Sequence, residues 1–189
     1  DSDEYRKLTQ GTFIDMWKKG LIYEDNRINN WCPGCRTTLA DSEIQRADIE
    51  TNLNYVRFQL KGSKESIIIA TTRPELLCTA AVVVYNPGDA RYKNLKGKEA
   101  VVPIFDIKVQ IIAHPAADPK FGTGLVFMSR SAGDQDAVRF LREMKIEPKM
   151  AVGIDGKMNE NAGFLKGLKT SDARKKIVEI LNEKGFLDK

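Results

Sequence analysis

The apolar positions of this chain fall into two textures. Over residues 5–21, Tyr5, Leu8, Phe13, Met16 and Trp17 recur at broadly helical spacing and Gly20 supplies a stop, which predicts an amphipathic helix. From about residue 53 the pattern changes to alternation and short β-branched runs: LNYVRFQL, ESIIIATT, AAVVVY, EAVVPIF, VQIIAH and GLVFM. Each run predicts a strand, and several short strands separated by Gly, Pro and Asn predict a barrel or a strongly curved sheet with later helices packed outside. Those helices are DQDAVRFLREMK and TSDARKKIVEILNEKG. The second is expected to open at Thr170 or Ser171, with Asp172 in its first turn, and to close at Gly185. Between the first helix and the strands, LIYEDNRINNWCPGCRTTLADSEIQ is rich in turn formers around two cysteines and predicts short strands or a ribbon. The class is α+β, divided into a helix-and-ribbon segment over residues 1–50 and a main domain over 51–189.

The stretch IIIATTRPELLC concentrates chemistry at a strand end. Ile67, Ile68 and Ile69 suit a buried pleated surface. Pro74 disfavours helical geometry at Arg73 and offers a sheet no donor, so two hydroxyls and a guanidinium gather where regular structure stops. That is how a binding edge is built. The structural alternative is that Thr71 and Thr72 finish the strand, Arg73 pairs with a carboxylate and Pro74 turns the chain.

Other candidate groups are sparser. Cys32 and Cys35 have the two-residue spacing that lets both thiolates reach one zinc ion, yet a structural site takes four ligands and only Cys78 and His114 remain. Either the partner ligands lie outside this chain or the pair is two free thiols in a tight turn. The motif lacks the strand-to-helix context of a redox pair. His114 has no nucleophile elbow to serve and reads as a satisfied, half-buried histidine. Gly122-Thr123-Gly124 lacks the third glycine and following helix of a dinucleotide site, but permits close backbone approach of a ligand. Asp134 and Asp136 open a helix, and Asp134 has the position of a cap.

Composition narrows the class. A chain of 189 residues, 42% apolar and 30% charged, holds one domain, or one with a small appendage, and is not a disordered segment. No apolar run approaches the roughly 20 residues needed to span a bilayer, and DSDEYRKLTQ has no signal-peptide character, so a cytoplasmic location without membrane contact is expected. The start at Asp1 and the end just past a helix suggest a fragment of a longer protein. The net charge of +4 is spread among scattered lysines, a weak footprint for nucleic acid.

Taken in order, NNWCPGCRTTLADSEI, ATTRPELL, YNPGDARYKNLKGK, VQIIAHPAADPKFGTGLV and GDQDAV resemble the insertion that carries the editing domain in class I aminoacyl-tRNA synthetases of the valine, isoleucine and leucine group. The likeness covers almost the whole chain, and TTRPE, NPGDARYKNLKGK and VQIIA resemble the valine enzymes most. It implies a distorted closed β-barrel core with surrounding helices. It also implies an aminoacyl-tRNA ester hydrolase, acting as a monomer after transfer on threonine carried by the 3′ end of tRNA(Val) and attached to the other domains of its parent. Asp136 would anchor the substrate ammonium and Thr71 and Thr72 would line the reacting centre. Arg73, Glu75, Gly124, Phe127, Ser129 and Asp134 would contact substrate. Cys32 and Cys35 would form half of a zinc knuckle; the hydrolysis needs no cofactor, and ATP serves only the parent. Many members carry an acid where Gly133 stands and a lysine where Phe127 stands. Rival readings are an isoleucine- or leucine-system editing domain and a non-catalytic, zinc-stabilised tRNA-docking module.

The resemblance also supplies a physical reason for such a site. Valine synthetases are the standing example of a pocket that rejects an isostere with an added hydroxyl only about a hundredfold. A second site must therefore accept threonine by polarity. Leaving its polar groups unpaired when valine enters disfavours valine by about 1–3 kcal/mol per group.

Overall fold

The computed structural model describes residues 2–25, 28–45 and 47–188. Asn26 and Arg27, within the turn-rich segment expected before the cysteines, lie outside the described residues, as do Asp1, Arg46 and Lys189.

Helix α1 (Asp3–Lys18) forms on the predicted periodicity. The Ser2 hydroxyl accepts from the Tyr5 amide at 3.2 Å and Asp3 and Glu4 favour the positive end of the dipole. Gly20, at φ +68°, turns the chain away. None of its residues is buried, and Phe13 and Trp17 stack on one another at 6.3 Å on an exposed face. Strands β1 (Trp31–Cys32) and β2 (Thr37–Thr38) pair as a small antiparallel ribbon around Cys-Pro-Gly-Cys. The Trp31 indole donates to the Ile154 carbonyl at 2.9 Å, which ties the ribbon to the main body.

Every apolar run predicted as a strand is one. They are β3 (Asn54–Leu60), β4 (Ser66–Thr71), β5 (Ala80–Tyr85), β6 (Glu99–Val102), β7 (Ile107–Ala113) and β8 (Leu125–Ser129), with a short β9 (Leu187–Asp188) at the end. The order across the sheet is β4-β3-β6-β7-β5-β8, and β9 pairs with β3. All neighbours are antiparallel except β5 and β7. In β3, Val56, Phe58 and Leu60 are buried while Arg57 and Gln59 are exposed, the period-two pattern of a sheet with one wet face. The edges β4 and β8 curl towards each other to give a nearly closed, six-stranded barrel. Thr123 donates its hydroxyl to the Ile68 carbonyl at 2.7 Å across that gap. Gly122 sits so close to β4 that a Cβ there would lie 2.3 Å from that of Ala70. The close approach that the Gly-Thr-Gly run permits is thus made to strand β4.

Two helices cover the barrel. Helix α2 (Gln135–Glu143) presents Ala137, Phe140 and Leu141 to Val84 and Met128. Helix α3 (Thr170–Glu183) buries Ala173, Ile177 and Leu181, spaced four residues apart, in the main core. The expected hydroxyl cap of α3 is not used. Lys169 is the N-cap and makes no side-chain bond, because it is held extended by a bridge to Lys157 and the helix begins at Thr170 itself. His114 also differs from expectation. It is buried edge-on against Phe140 at 4.8 Å, its Nδ1 accepts from the Ala116 amide, and its Nε2 has no hydrogen-bond partner among the described residues, with Glu143 Oε1 at 3.4 Å. Among the described residues no helix is long and apolar enough to cross a membrane.

Candidate active site

Strand β4 stops because Thr71 closes a turn on itself. Its hydroxyl accepts from the Arg73 amide at 3.0 Å, and Pro74, which lacks a donor, opens a 3-10 turn over Pro74–Thr79. The edge formed here faces a cleft of about 350 Å³. Ala70, Thr71, Thr72, Arg73 and Leu76 supply one part of its lining and Val126 to Ser129 of β8 another. Gly133, Asp134, Asp136 and Ala137 contribute from the start of α2, and Ala116, Asp118 and Phe121 from the loop between β7 and β8. Seven of the residues singled out in the sequence therefore share one wall system: Thr71, Thr72, Arg73, Phe127, Ser129, Asp134 and Asp136.

Their hydrogen bonds divide them by availability. Ser129 Oγ accepts from the Ser131 amide at 3.0 Å and shares a proton with Thr79 Oγ1 at 2.8 Å, so its lone pairs and proton are largely engaged within the fold. Asp134 is the N-cap of α2, accepting from the Ala137 amide at 2.7 Å. Asp136 is different. Its side chain is 77% exposed, and its ion-pair partner is the equally exposed Arg139 at 3.8 Å, a contact easily exchanged for a ligand cation. Thr71 is buried, with its oxygen accepting one backbone bond and its hydroxyl proton still able to donate.

Asp118 and Phe121 were not anticipated. Asp118 Oδ1 accepts from the Lys120 amide at 2.9 Å, fixing a turn that brings an exposed aromatic ring to the cleft. The signal was an Asp-Pro step and a lone Phe beside Gly, ordinary loop chemistry without the fold. Among the described residues of the lining, Asp118, Asp134 and Asp136 stand against the one cation Arg73, a balance that favours a cationic group in the cleft.

Glu75 and Gly124 lie elsewhere. Glu75 is wholly buried beneath the turn, bonded by Arg73 and Arg174, and the carboxylate raises the Arg174 guanidinium above its ordinary value by hydrogen bonding. Gly124, at φ +82°, leaves room for the Arg91–Asp89 pair: a Cβ would come within 2.6 Å of Arg91 Nη2. That pair holds the Asp89 carboxyl below its usual value through the Arg91 hydrogen bonds.

A family model described as tRNA synthetases class I (I, L, M and V) matches residues 2–173. The chain belongs to the class I tRNA synthetases. Among curated members, it is 46% identical over 189 residues to a valine–tRNA ligase of Aeropyrum pernix, covering 100% of this chain and 23% of that protein. A valine–tRNA ligase of Pyrobaculum aerophilum is 45% identical over the same span and again covered to 23%, and one of Nanoarchaeum equitans is 42% identical and covered to 25%. The chain thus spans about a quarter of the length of the curated relatives it matches. The fold is shared with a solved LeuRS–tRNA–LeuAMS ternary complex from Agrobacterium radiobacter K84, with a TM-score of 0.59, 18% identity, and coverage of 99% of this chain and 32% of that one.

In this synthetase chain the turn of the ribbon brings two free thiols together. Cys32 Sγ accepts from the Cys35 amide at 3.3 Å, and the backbone and side-chain hydrogen bonds from Cys35 lower the Cys32 thiol. The same pairing raises Cys35. Among the described residues no third Cys, His, Asp or Glu joins them, so the donors fit half of a tetrahedral zinc site. Cys78 lies in the core, where desolvation pushes its thiol up to about 11.

Proposed function

We propose that this chain is the editing unit of a valine–tRNA ligase, hydrolysing the ester of threonine mischarged on tRNA(Val). The observation that carries the reading is the cleft itself, which gathers a Thr-Thr-Arg strand end, β8 and the acidic start of α2 around one small volume. A cleft of about 350 Å³ accommodates an amino acid with part of a ribose, and its surplus of carboxylates suits the one constant cation of the substrate, the ammonium group.

In this reading Asp136 receives the ammonium and fixes the ester carbonyl relative to the Thr71–Arg73 edge. Water adds to the carbonyl carbon, the bond to the ribose oxygen breaks, and that oxygen leaves with a proton as a free ribose hydroxyl. An aminoacyl ester is already labile, so holding a water in line and stabilising the developing oxyanion suffices without a covalent nucleophile. Thr71, with a hydroxyl proton to donate, is the donor at hand, since the Arg73 amide is already given to its oxygen and Pro74 has none. Zinc at Cys32 and Cys35, completed by two ligands from elsewhere in a longer chain, would brace the ribbon and take no part in the reaction.

The test is deacylation by excess protein of threonyl-tRNA(Val), with valyl-tRNA(Val) as control, repeated with Asp136→Ala. Loss of the threonyl ester alone, abolished by the substitution, is the expected result. No turnover of either ester by a folded chain that still binds tRNA would overturn the reading in favour of a docking module, and preferential loss of the valyl ester would point to another member's system.

A further inference from the structure

Glu75 carries its carboxylate at 0% exposure, and two arginines from distant parts of the chain satisfy it. Arg174 of α3 donates Nη2 to Oε1 at 2.8 Å and Nε to Oε2 at 3.0 Å, occupying both oxygens. Arg73 reaches the same group with Nε alone, at 3.1 Å, and this leaves its Nη1 free to donate to the Gly133 carbonyl at 3.1 Å. Gly133 immediately precedes Asp134, the cap of α2, and Asp136 follows in the first turn. A continuous polar path therefore runs from α3, through a buried carboxylate, to the loop that bears the acids of the cleft. Arg174 itself stands outside the cleft, beside a separate groove shared with Asn52, Asn54 and Lys175.

The two arginines compete for one carboxylate. A guanidinium prefers two parallel bonds to a carboxylate over one. With Arg174 absent, Glu75 would be left buried with a single partner, and the stable response is for Arg73 to swing its fork fully onto it. Adding Nη2, which shares an edge of the guanidinium with Nε, turns the plane of the group about its bond to Oε1, and that turn draws Nη1, on the far side, off Gly133. We propose that Arg174 is a positioning residue for the cleft: by filling both oxygens of Glu75 it restricts Arg73 to one bond there and keeps its other arm on the loop that presents Asp136. The inference rests on the deacylation reading above for its kinetic consequence, and on geometry alone for the placement of Arg73.

Arg174→Ala, Arg174→Lys and, as a control, Lys175→Ala are compared in two measurements made well below every variant's melting temperature. In single-turnover deacylation of threonyl-tRNA(Val), Arg174→Ala lowers the saturating rate about ten- to hundredfold, as displacement of a positioned group does, with the half-saturating protein concentration unchanged. Arg174→Lys restores only part of the rate because an ammonium cannot make the fork, and Lys175→Ala keeps it. In NMR spectra, the Arg73 Nε–Hε resonance, assigned by its loss in Arg73→Lys, and the Ala137 amide both move in Arg174→Ala.

A full saturating rate with both resonances unmoved overturns the proposal, as does an effect confined to half-saturation, which would make Arg174 a tRNA contact. If the unsubstituted chain deacylates nothing, the functional reading fails by itself, and the resonances still decide whether Arg174 places Arg73. Should Arg174→Ala fail to fold, Arg174→Lys carries both measurements.

Discussion

Single atoms separate the carboxylates of this cleft. Asp134 Oδ1 holds the Ala137 amide at 2.7 Å, whereas the carboxylate of Asp136, two residues on, has among the described residues only an exposed arginine at 3.8 Å. One is committed to ending the helix dipole and the other is open to a ligand. Asp134→Ala is therefore expected to destabilise the chain by about 0.5–2 kcal/mol, as loss of a cap does, while Asp134→Asn keeps most of that stability. Denaturant unfolding of the two variants checks this. The three thiols divide in a similar way. Cys32 is depressed by hydrogen bonds from Cys35, so more of it is thiolate at neutral pH than of its neighbour; Cys78 is buried and pushed up to about 11. In chelator, iodoacetamide should modify Cys32 first, Cys35 more slowly and Cys78 only on unfolding. Peptide mass spectrometry against time reads the order, and early labelling of Cys78 would contradict its burial.

At the scale of elements, the strands were legible because their patterns were local. Val56, Phe58 and Leu60 alternate with Arg57 and Gln59, and AAVVVY became β5 residue for residue. Helix α3 was legible from Ala173, Ile177 and Leu181, though its cap was not, because the bridge from Lys169 to Lys157 is a tertiary contact that no hydroxyl pattern reveals. The candidate site was half legible on the same ground. Thr71 to Pro74 announced a strand end, but Glu75 looked like part of that edge. Its role depends on Arg174, 99 residues away, and on an inward orientation set by the 3-10 turn. Asp118 and Phe121 gave only the signal of ordinary loop chemistry, because a loop's course depends on what it packs against. The packing of α3 yields a quantitative expectation. Ile177 is wholly buried, so Ile177→Ala should destabilise the barrel by about 2–5 kcal/mol, read as a lowered urea midpoint with little change in slope. A loss below about 0.5 kcal/mol, the range of surface substitutions, would mean that α3 does not seal the core.

For the whole molecule, sequence and structure agree on a barrel with outer helices, and the parts that the sequence left unconnected are connected by crossings of long range. β3 receives its antiparallel partner β4 along one edge and the chain's last strand, β9, on the other, with Tyr55 opposite Asp188 and Arg57 bonded to Asp188 at 2.7 Å. The first and final strands of the barrel are therefore neighbours, about 4.8 Å apart in the hydrogen-bonding direction. Chain entering β3 and chain leaving β9 are separated by only one strand spacing, however many residues lie between them, and the closure of that long loop is completed inside the barrel's own core. The same geometry sets a temporal order during synthesis, since β3 must wait for nearly the whole unit to emerge before β9 can complete its edge.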